Sequence, residues 1–207
     1  MYFWLMNIPS KYIEQAVEQL ASLPGIGKRT ALRLALQLLH RSEDEIKLFS
    51  HSILEMKLFV KNCQNCGNVS DQEICQICSN PKRNHQLICV VEDVRDVMAI
   101  EATHSFQGVY HVLGGIISPM DGIGPNDLNI QSLIQKAEKE EIEEVIFALS
   151  ATMEGDTTNY FLFKKLQNFH NLKITSISRG VSVGSELQYT DELTLGRSIL
   201  QRQPFKI

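Results

Sequence analysis

The sequence predicts an α/β protein built in series: an all-α module, a small cysteine-rich module, a domain with a mostly parallel sheet, and a helical tail. Three observations carry this prediction. Apolar residues recur at helical spacing up to Lys61, four cysteines crowd residues 63–78, and from Leu87 short β-rich runs alternate with helical stretches. A chain of 207 residues accommodates one ordinary domain or two to three small modules.

In the first module Ile13, Ala16, Val17 and Leu20 stand at i, i+3, i+4 and i+7, the stripe of an amphipathic helix. A turn, Leu23-Pro24-Gly25-Ile26-Gly27, separates it from a second helix over Thr30–His40. That helix is apolar nearly all round, from Ala31 to Leu39, and is expected to be well buried. Ser42-Glu43-Asp44-Glu45 reads as a capping box that opens a third helix running towards Lys61.

From Leu87 the strands are expected at Leu87–Val91, Val109–Leu113, Glu144–Leu149 and Lys173–Ser178. Helices are expected near Arg95–Thr103, Ile130–Lys139 and Thr158–Phe169. Strands joined through helices form a parallel sheet with both faces covered. The tail, Asp191–Gln201, reads as a last helix with a basic end.

Composition narrows the function. Hydrophobic residues make 43% and charged residues 21%, a globular balance rather than a disordered one. No apolar run reaches the roughly 18–20 residues of a membrane span, and Met1–Met6 lacks the cationic start and small-residue site of a secretory signal, so a soluble protein is expected. The net charge of −4 is unevenly spread. Residues 1–62 carry eight Lys/Arg against six Asp/Glu, whereas residues 87–207 carry ten against sixteen. No acid stands between Glu18 and Glu43, where Lys28, Arg29, Arg33 and Arg41 fall, so a polyanion site belongs near the N-terminus.

Cys63, Cys66, Cys75 and Cys78 form two C-x2-C knuckles eight residues apart. Four thiolates at this spacing make a closed tetrahedral zinc site, structural because no position is left for water. Its role is to fold a loop that has no core of its own. Disulfides and a redox pair are the rival readings; three-residue spacing in a tight turn suits disulfides poorly, and two copies in a polar patch suit metal better. Cys89, inside Leu-Ile-Cys-Val-Val, reads as a core residue.

The stretch Leu23–Thr30 followed by Ala31-x-x-Leu34 resembles the helix-hairpin-helix motif of DNA-binding proteins that ignore sequence. Gly25 and Gly27 permit a sharp turn, so that amides at the next helix's N-terminus face outward and make a phosphate site. Lys28, Arg29 and Arg33 add charge there, and nothing nearby reads a base edge. A hairpin that merely packs or oligomerises is the alternative, and both roles are compatible.

Glu92 closes the first strand of the third module, at the carboxyl edge where parallel sheets bind ligands. This resembles the first motif of the Toprim domain shared by topoisomerases and primases. In active members that glutamate joins a D-x-D-x-x-G motif after a later strand to hold magnesium. The corresponding residues here are Ser150-Ala151-Thr152-Met153-Glu154-Gly155: the glycine remains and hydroxyls replace both aspartates. Magnesium prefers charged oxygen ligands, so any binding through Glu92, Glu154 or Asp156 is expected to be weak, and efficient strand cleavage is not expected. In the glycine-rich connection from Gly114 to Pro125, Asp121, like the later Asp127, either lines a site or caps a turn.

A helix-hairpin-helix, a four-cysteine zinc loop and a Toprim domain in that order resemble the RecR family of bacterial recombination mediators, from about Ile13 to Leu200. The resemblance implies a helix-hairpin-helix module over 1–62, a zinc finger over 63–84, a Toprim domain over 85–182 and an oligomerising segment over 183–207. It further implies a cytoplasmic, nucleoid-associated, non-enzymatic adaptor that forms a ring-shaped homotetramer. Such adaptors act with RecO and RecF to help load RecA at single-stranded gaps. The excess of acid on residues 87–207 suits a basic partner such as RecO, with Glu92, Asp121 and Glu154 on the acidic Toprim face that would meet it. Arg179-Gly180-Val181-Ser182-Val183-Gly184 fits the family's segment after the last Toprim strand, with Arg179 in place of the usual histidine and Ser150 in place of the usual asparagine. The apolar start, Tyr2–Met6, stands outside the family pattern.

Overall fold

The computed structural model describes residues 8–139, 142–182, 184, 186–202 and 204; the apolar start and Val183 lie outside this set. The chain divides into two compact units, with the boundary between Phe59 and Val60.

The first unit holds helices α1 (Lys11–Ala21), α2 (Lys28–Leu39) and α3 (Glu43–Phe59). The α1 stripe packs on α2 around Val17, Ala31 and Ala35, with Ile13, Leu20, Ile26 and Leu32 at the margin. Ser42 and Glu45 close the expected capping box: the Ser42 N–H donates to Glu45 Oε2 at 2.8 Å, and the Glu45 N–H to Ser42 Oγ at 3.3 Å. The expectation that α2 is well buried does not hold. Only Ala31 and Ala35 are buried on it, α3 buries nothing, and Leu36, Leu39, Leu48 and Phe59 stand exposed. An all-round apolar helix needs neighbours on every side, and within this unit α2 packs chiefly on α1.

The second unit begins with a two-residue antiparallel ribbon, β1 (Lys61–Asn62) with β2 (Val69–Ser70), that frames the first knuckle. A four-stranded parallel sheet follows in the order β4-β3-β5-β6. Its strands are β3 (Asn84–Val91), β4 (Gly108–Val112), β5 (Glu144–Phe147) and β6 (Lys173–Ser176). The helices between and after them are α4 (Val94–Ala102), α5 (Ile130–Lys139), α6 (Met153–Leu166) and α7 (Glu192–Leu200). Period-two alternation sorts the core. Ile88 and Val90 of β3 face Leu133 of α5 and Leu162 and Leu166 of α6, while Cys89 and Val91 face Val97 of α4 on the other side. Cys89 is therefore the core residue expected.

Helix α6 starts five residues before the expected Thr158. Thr152 caps it, accepting from the Gly155 N–H at 3.1 Å. A Cβ on Gly155 would sit 2.0 Å from the Ser150 carbonyl, so the retained glycine has a steric reason. Thr158 is buried inside the helix; it accepts from the Ile117 N–H at 2.9 Å and thereby anchors the glycine-rich connection.

Candidate nucleic-acid interface and metal centre

The N-terminus of α2 has no side-chain cap and no acid in its first turn. Gly25 takes φ +78°, the left-handed conformation that turns the chain between helices. Gly27, the N-cap residue, differs from expectation: its φ of −77° is open to any residue and a Cβ there would meet nothing within 4 Å. Neither backbone nor packing asks for glycine at this position. No side chain caps the first-turn amides. The first turn has no acid, and Lys28, Arg29 and Arg33 are exposed and free of ion pairs among the described residues. Amides, the positive end of the helix dipole and three cations thus converge on one exposed place.

The four cysteines meet as expected. Their sulfurs lie within 4.8 Å of one another and all four residues are buried. Tetrahedral zinc with Zn–S of ~2.3 Å requires sulfurs about 3.8 Å apart, and Cys66 Sγ and Cys75 Sγ already stand at 3.6 Å. Backbone N–H groups of Cys75 and Cys78 donate to Cys63 Sγ and Cys75 Sγ, the polarity that thiolates need. A hydrogen bond from Cys78 pulls Cys66 down to about 5, while that bond, burial and the neighbouring thiolate push Cys78 up. All five cysteines are free of disulfides. Four thiols in this pocket cannot all ionise without a cation, and zinc supplies one; the donor set fits a closed structural centre.

This centre is joined to the sheet. The Val112 N–H of edge strand β4 donates to the Cys66 carbonyl at 2.7 Å. Gly67, at φ +76°, lies so close that a Cβ would be 2.8 Å from the Val112 carbonyl. Arg83 donates to the Gly108 carbonyl at 3.3 Å and to Glu101, which also accepts from Tyr110 Oη at 2.7 Å. Burial pushes Glu101 up, but the Arg83 and Tyr110 hydrogen bonds outweigh it and hold the carboxyl below its ordinary range. Spacing gave no sign of this network, because its members lie 9 to 25 residues apart.

Glu92 and Glu154 follow the adjacent parallel strands β3 and β5 and so lie at the same carboxyl edge of the sheet. Strand order reverses between these two, the place where open parallel sheets form a crevice. Burial, Asp96 and Asp93 raise the Glu92 carboxyl above its ordinary value. Asp121 closes a turn, accepting from Ser118 Oγ at 2.6 Å, and Asp127 accepts from the Gly124 N–H at 2.8 Å. Asp156 is bound by Arg179 at 2.6 Å, which holds its carboxyl below the ordinary range, with Arg197 of α7 at 3.6 Å. Arg179 and Arg197 were not recognisable as its partners from the sequence. Among the described residues the cysteines are the one group of three or more ligands spaced for a metal, and no helix is long and apolar enough to cross a membrane.

Four family models match the chain in series. Residues 13–57 match the RecR helix-hairpin-helix family, 60–80 the RecR zinc finger domain with four cysteines, 86–178 the Toprim domain and 180–203 the RecR C-terminal family. The recombination protein RecR of Flavobacterium psychrophilum is 57% identical over 201 residues, 97% of each chain. That of Flavobacterium johnsoniae is 55% identical over the same shares, and that of Parabacteroides distasonis 54% over 96% of this chain and 95% of its own. The chain belongs to the RecR family of recombination proteins.

Proposed function

We propose that the protein is a DNA-repair recombination mediator that grips DNA without reading its sequence and helps load RecA at single-stranded gaps together with RecO and RecF. The observation that carries this reading is the uncapped N-terminus of α2, where Gly25, Gly27, Lys28, Arg29 and Arg33 present amides and cations with no acid among them. Phosphates are the ligand such a site takes, and without side chains that reach base edges the binding is salt-dependent and sequence-independent.

The remaining parts have supporting roles. Zinc folds the middle module onto the sheet edge. The carboxyl edge with Glu92, Asp121 and Glu154 receives a basic partner, which the excess of acid on residues 87–207 favours and which fits RecO. Magnesium is held weakly there, since hydroxyls stand where active Toprim enzymes have two aspartates, and the chain itself turns over no DNA. The exposed apolar residues of α2, α3 and α7 support a homo-oligomer, a tetramer by resemblance, in the bacterial cytoplasm at the nucleoid.

The test is RecA filament formation on gapped DNA coated with single-strand-binding protein, with RecO and RecF present. Wild-type chain is expected to accelerate loading and the Lys28→Ala/Arg29→Ala variant to lose most of that effect. Equal stimulation by both proteins refutes the hairpin's role.

A further inference from the structure

The four-cysteine centre is buried but not sealed. A cavity of about 360 Å³ opens beside it, walled by Val60, Val69, Ser70, Gln72 and Gln76, and Cys75 is the one member of the cluster in that wall. A water molecule takes ~30 Å³ of liquid and hydrogen peroxide little more, so the cavity admits such a solute as far as the sulfurs. Asp71 is the single charged side chain in the wall, which favours a small neutral visitor over an anion.

Behind that wall the sulfurs are placed for coupling across the two knuckles. Cys66 Sγ stands 3.6 Å from Cys75 Sγ. Hydrogen bonds tie the knuckles together independently of a shared metal: the Gln64 N–H donates to the Glu73 carbonyl at 2.8 Å, and the Cys75 N–H to Cys63 Sγ at 3.2 Å. Cys78 shares a knuckle with Cys75, three residues away, a spacing that suits a disulfide poorly. Cys63 Sγ is already engaged by the Cys75 N–H, so Cys66 is the thiolate that an oxidised Cys75 meets. Cys89 belongs to the core of the sheet and lies outside this cluster.

We propose that Cys75 is an oxidation site for small hydroperoxides, and that Cys66 resolves it to a disulfide that unloads the zinc. The Cys75 thiolate attacks the O–O bond: sulfur gains OH, giving a sulfenic acid, and hydroxide leaves with the O–O electron pair. The Cys66 thiolate then attacks the Cys75 sulfur. The S–S bond forms, the S–O bond breaks and a second hydroxide leaves. Two thiolates have lost two electrons, and one peroxide has taken them. The two remaining cysteines are half of a tetrahedral set and too few to hold zinc. The change reaches the sheet, because the Cys66 carbonyl accepts from the Val112 N–H of edge strand β4 and Gly67 lies against the Val112 carbonyl. Zinc in the four-cysteine pocket is the premise of this switch, which shares no residue with the DNA face on α2 or with the edge that holds Glu92 and Glu154.

The test uses the full chain from zinc-supplemented cells, hydrogen peroxide, a chromogenic zinc indicator and mass mapping of disulfide-linked peptides. Metal content is measured first, and a chain without zinc overturns the zinc assignment and the proposal with it. Peroxide is expected to release the zinc in step with a Cys66–Cys75 link, while Cys89 stays reduced. Dithiothreitol with added zinc is expected to restore the loaded state. Val69→Phe, which narrows the cavity without replacing a ligand, is expected to slow release severalfold at unchanged zinc content. Should that variant take up less zinc, cumene hydroperoxide on the wild type decides instead: it carries the same O–O bond on a body too bulky for the cavity and should act far more slowly. From a zinc-loaded chain, no release at millimolar peroxide, a link between another pair of cysteines, or equal rates with the two hydroperoxides overturns the proposal alone.

Discussion

Gly25 and Gly27 were both legible as turn residues in Pro24-Gly25-Ile26-Gly27, but only Gly25 uses the left-handed region. Gly25→Ala is expected to cost about 1–2 kcal/mol through backbone strain. Gly27→Ala is expected to cost less, at most about 1 kcal/mol, because the φ of −77° suits any residue and only the poorer N-cap tells. Thermal melts check both; a Gly27→Ala variant that melts earlier than Gly25→Ala would contradict the distinction. His111 carries a second effect at this scale. It is fully buried, its Nε2 meets the Asn129 carbonyl at 2.6 Å, and burial pulls its pKa down to about 4. The unfolded chain, with histidine near 6.5, binds the proton first, so stability is full above that pH and is lost as pH falls towards 4. The full loss is roughly 3 kcal/mol. A Tm followed from pH 7 to 4.5 should fall more in wild type than in His111→Gln.

At the scale of elements, periodicity located the strands, the capped helix α3 and the cysteine knuckles, since each is written in spacing over a few residues. Contacts between distant residues were not legible. The Arg83–Glu101–Tyr110 cluster joins the end of the zinc module to α4 and β4 across 18 and 9 residues. The start of α6 was hidden because Ser150–Gly155 reads as a loop motif until Thr152 is seen to cap it. The zinc module closes the β4 edge, so its removal has a local signature. Chelation, or Cys78→Ser, should raise hydrogen exchange at Val112, whose amide meets the Cys66 carbonyl, well before Val90 in the neighbouring strand. Simultaneous loss at both positions would mean that zinc holds the whole sheet rather than its edge. Glu101→Gln should cost roughly 2–3 kcal/mol by leaving Arg83 half-buried beside a neutral partner.

For the whole molecule, the sequence showed how much apolar surface α2 and α3 carry but not whether the chain covers it. The fold leaves Leu39, Leu48, Leu54, Leu58 and Phe59 exposed at 53–69%. On the function proposed above, other copies of the chain cover this surface. Sedimentation should report an oligomer that persists in high salt, because apolar contacts are not screened, and Leu54→Glu/Leu58→Glu should dissociate it. Family membership and the order of modules were readable from motifs alone, whereas the cations shared by one helix end and the carboxylates shared by one sheet edge became spatial only with the fold.

The most direct measurement is a salt-varied titration of fluorescent gapped DNA, with magnesium present, comparing wild type, Lys28→Ala/Arg29→Ala and Glu92→Gln/Glu154→Gln, with the DNA run afterwards on a denaturing gel. The hairpin variant should bind much more weakly, its slope of log affinity against log salt reduced by about 2, while the carboxylate variant binds like wild type and the DNA stays intact. Unchanged binding by the hairpin variant, or cut DNA that becomes intact in the carboxylate variant, would contradict the assignment and move the chemistry to the Toprim edge.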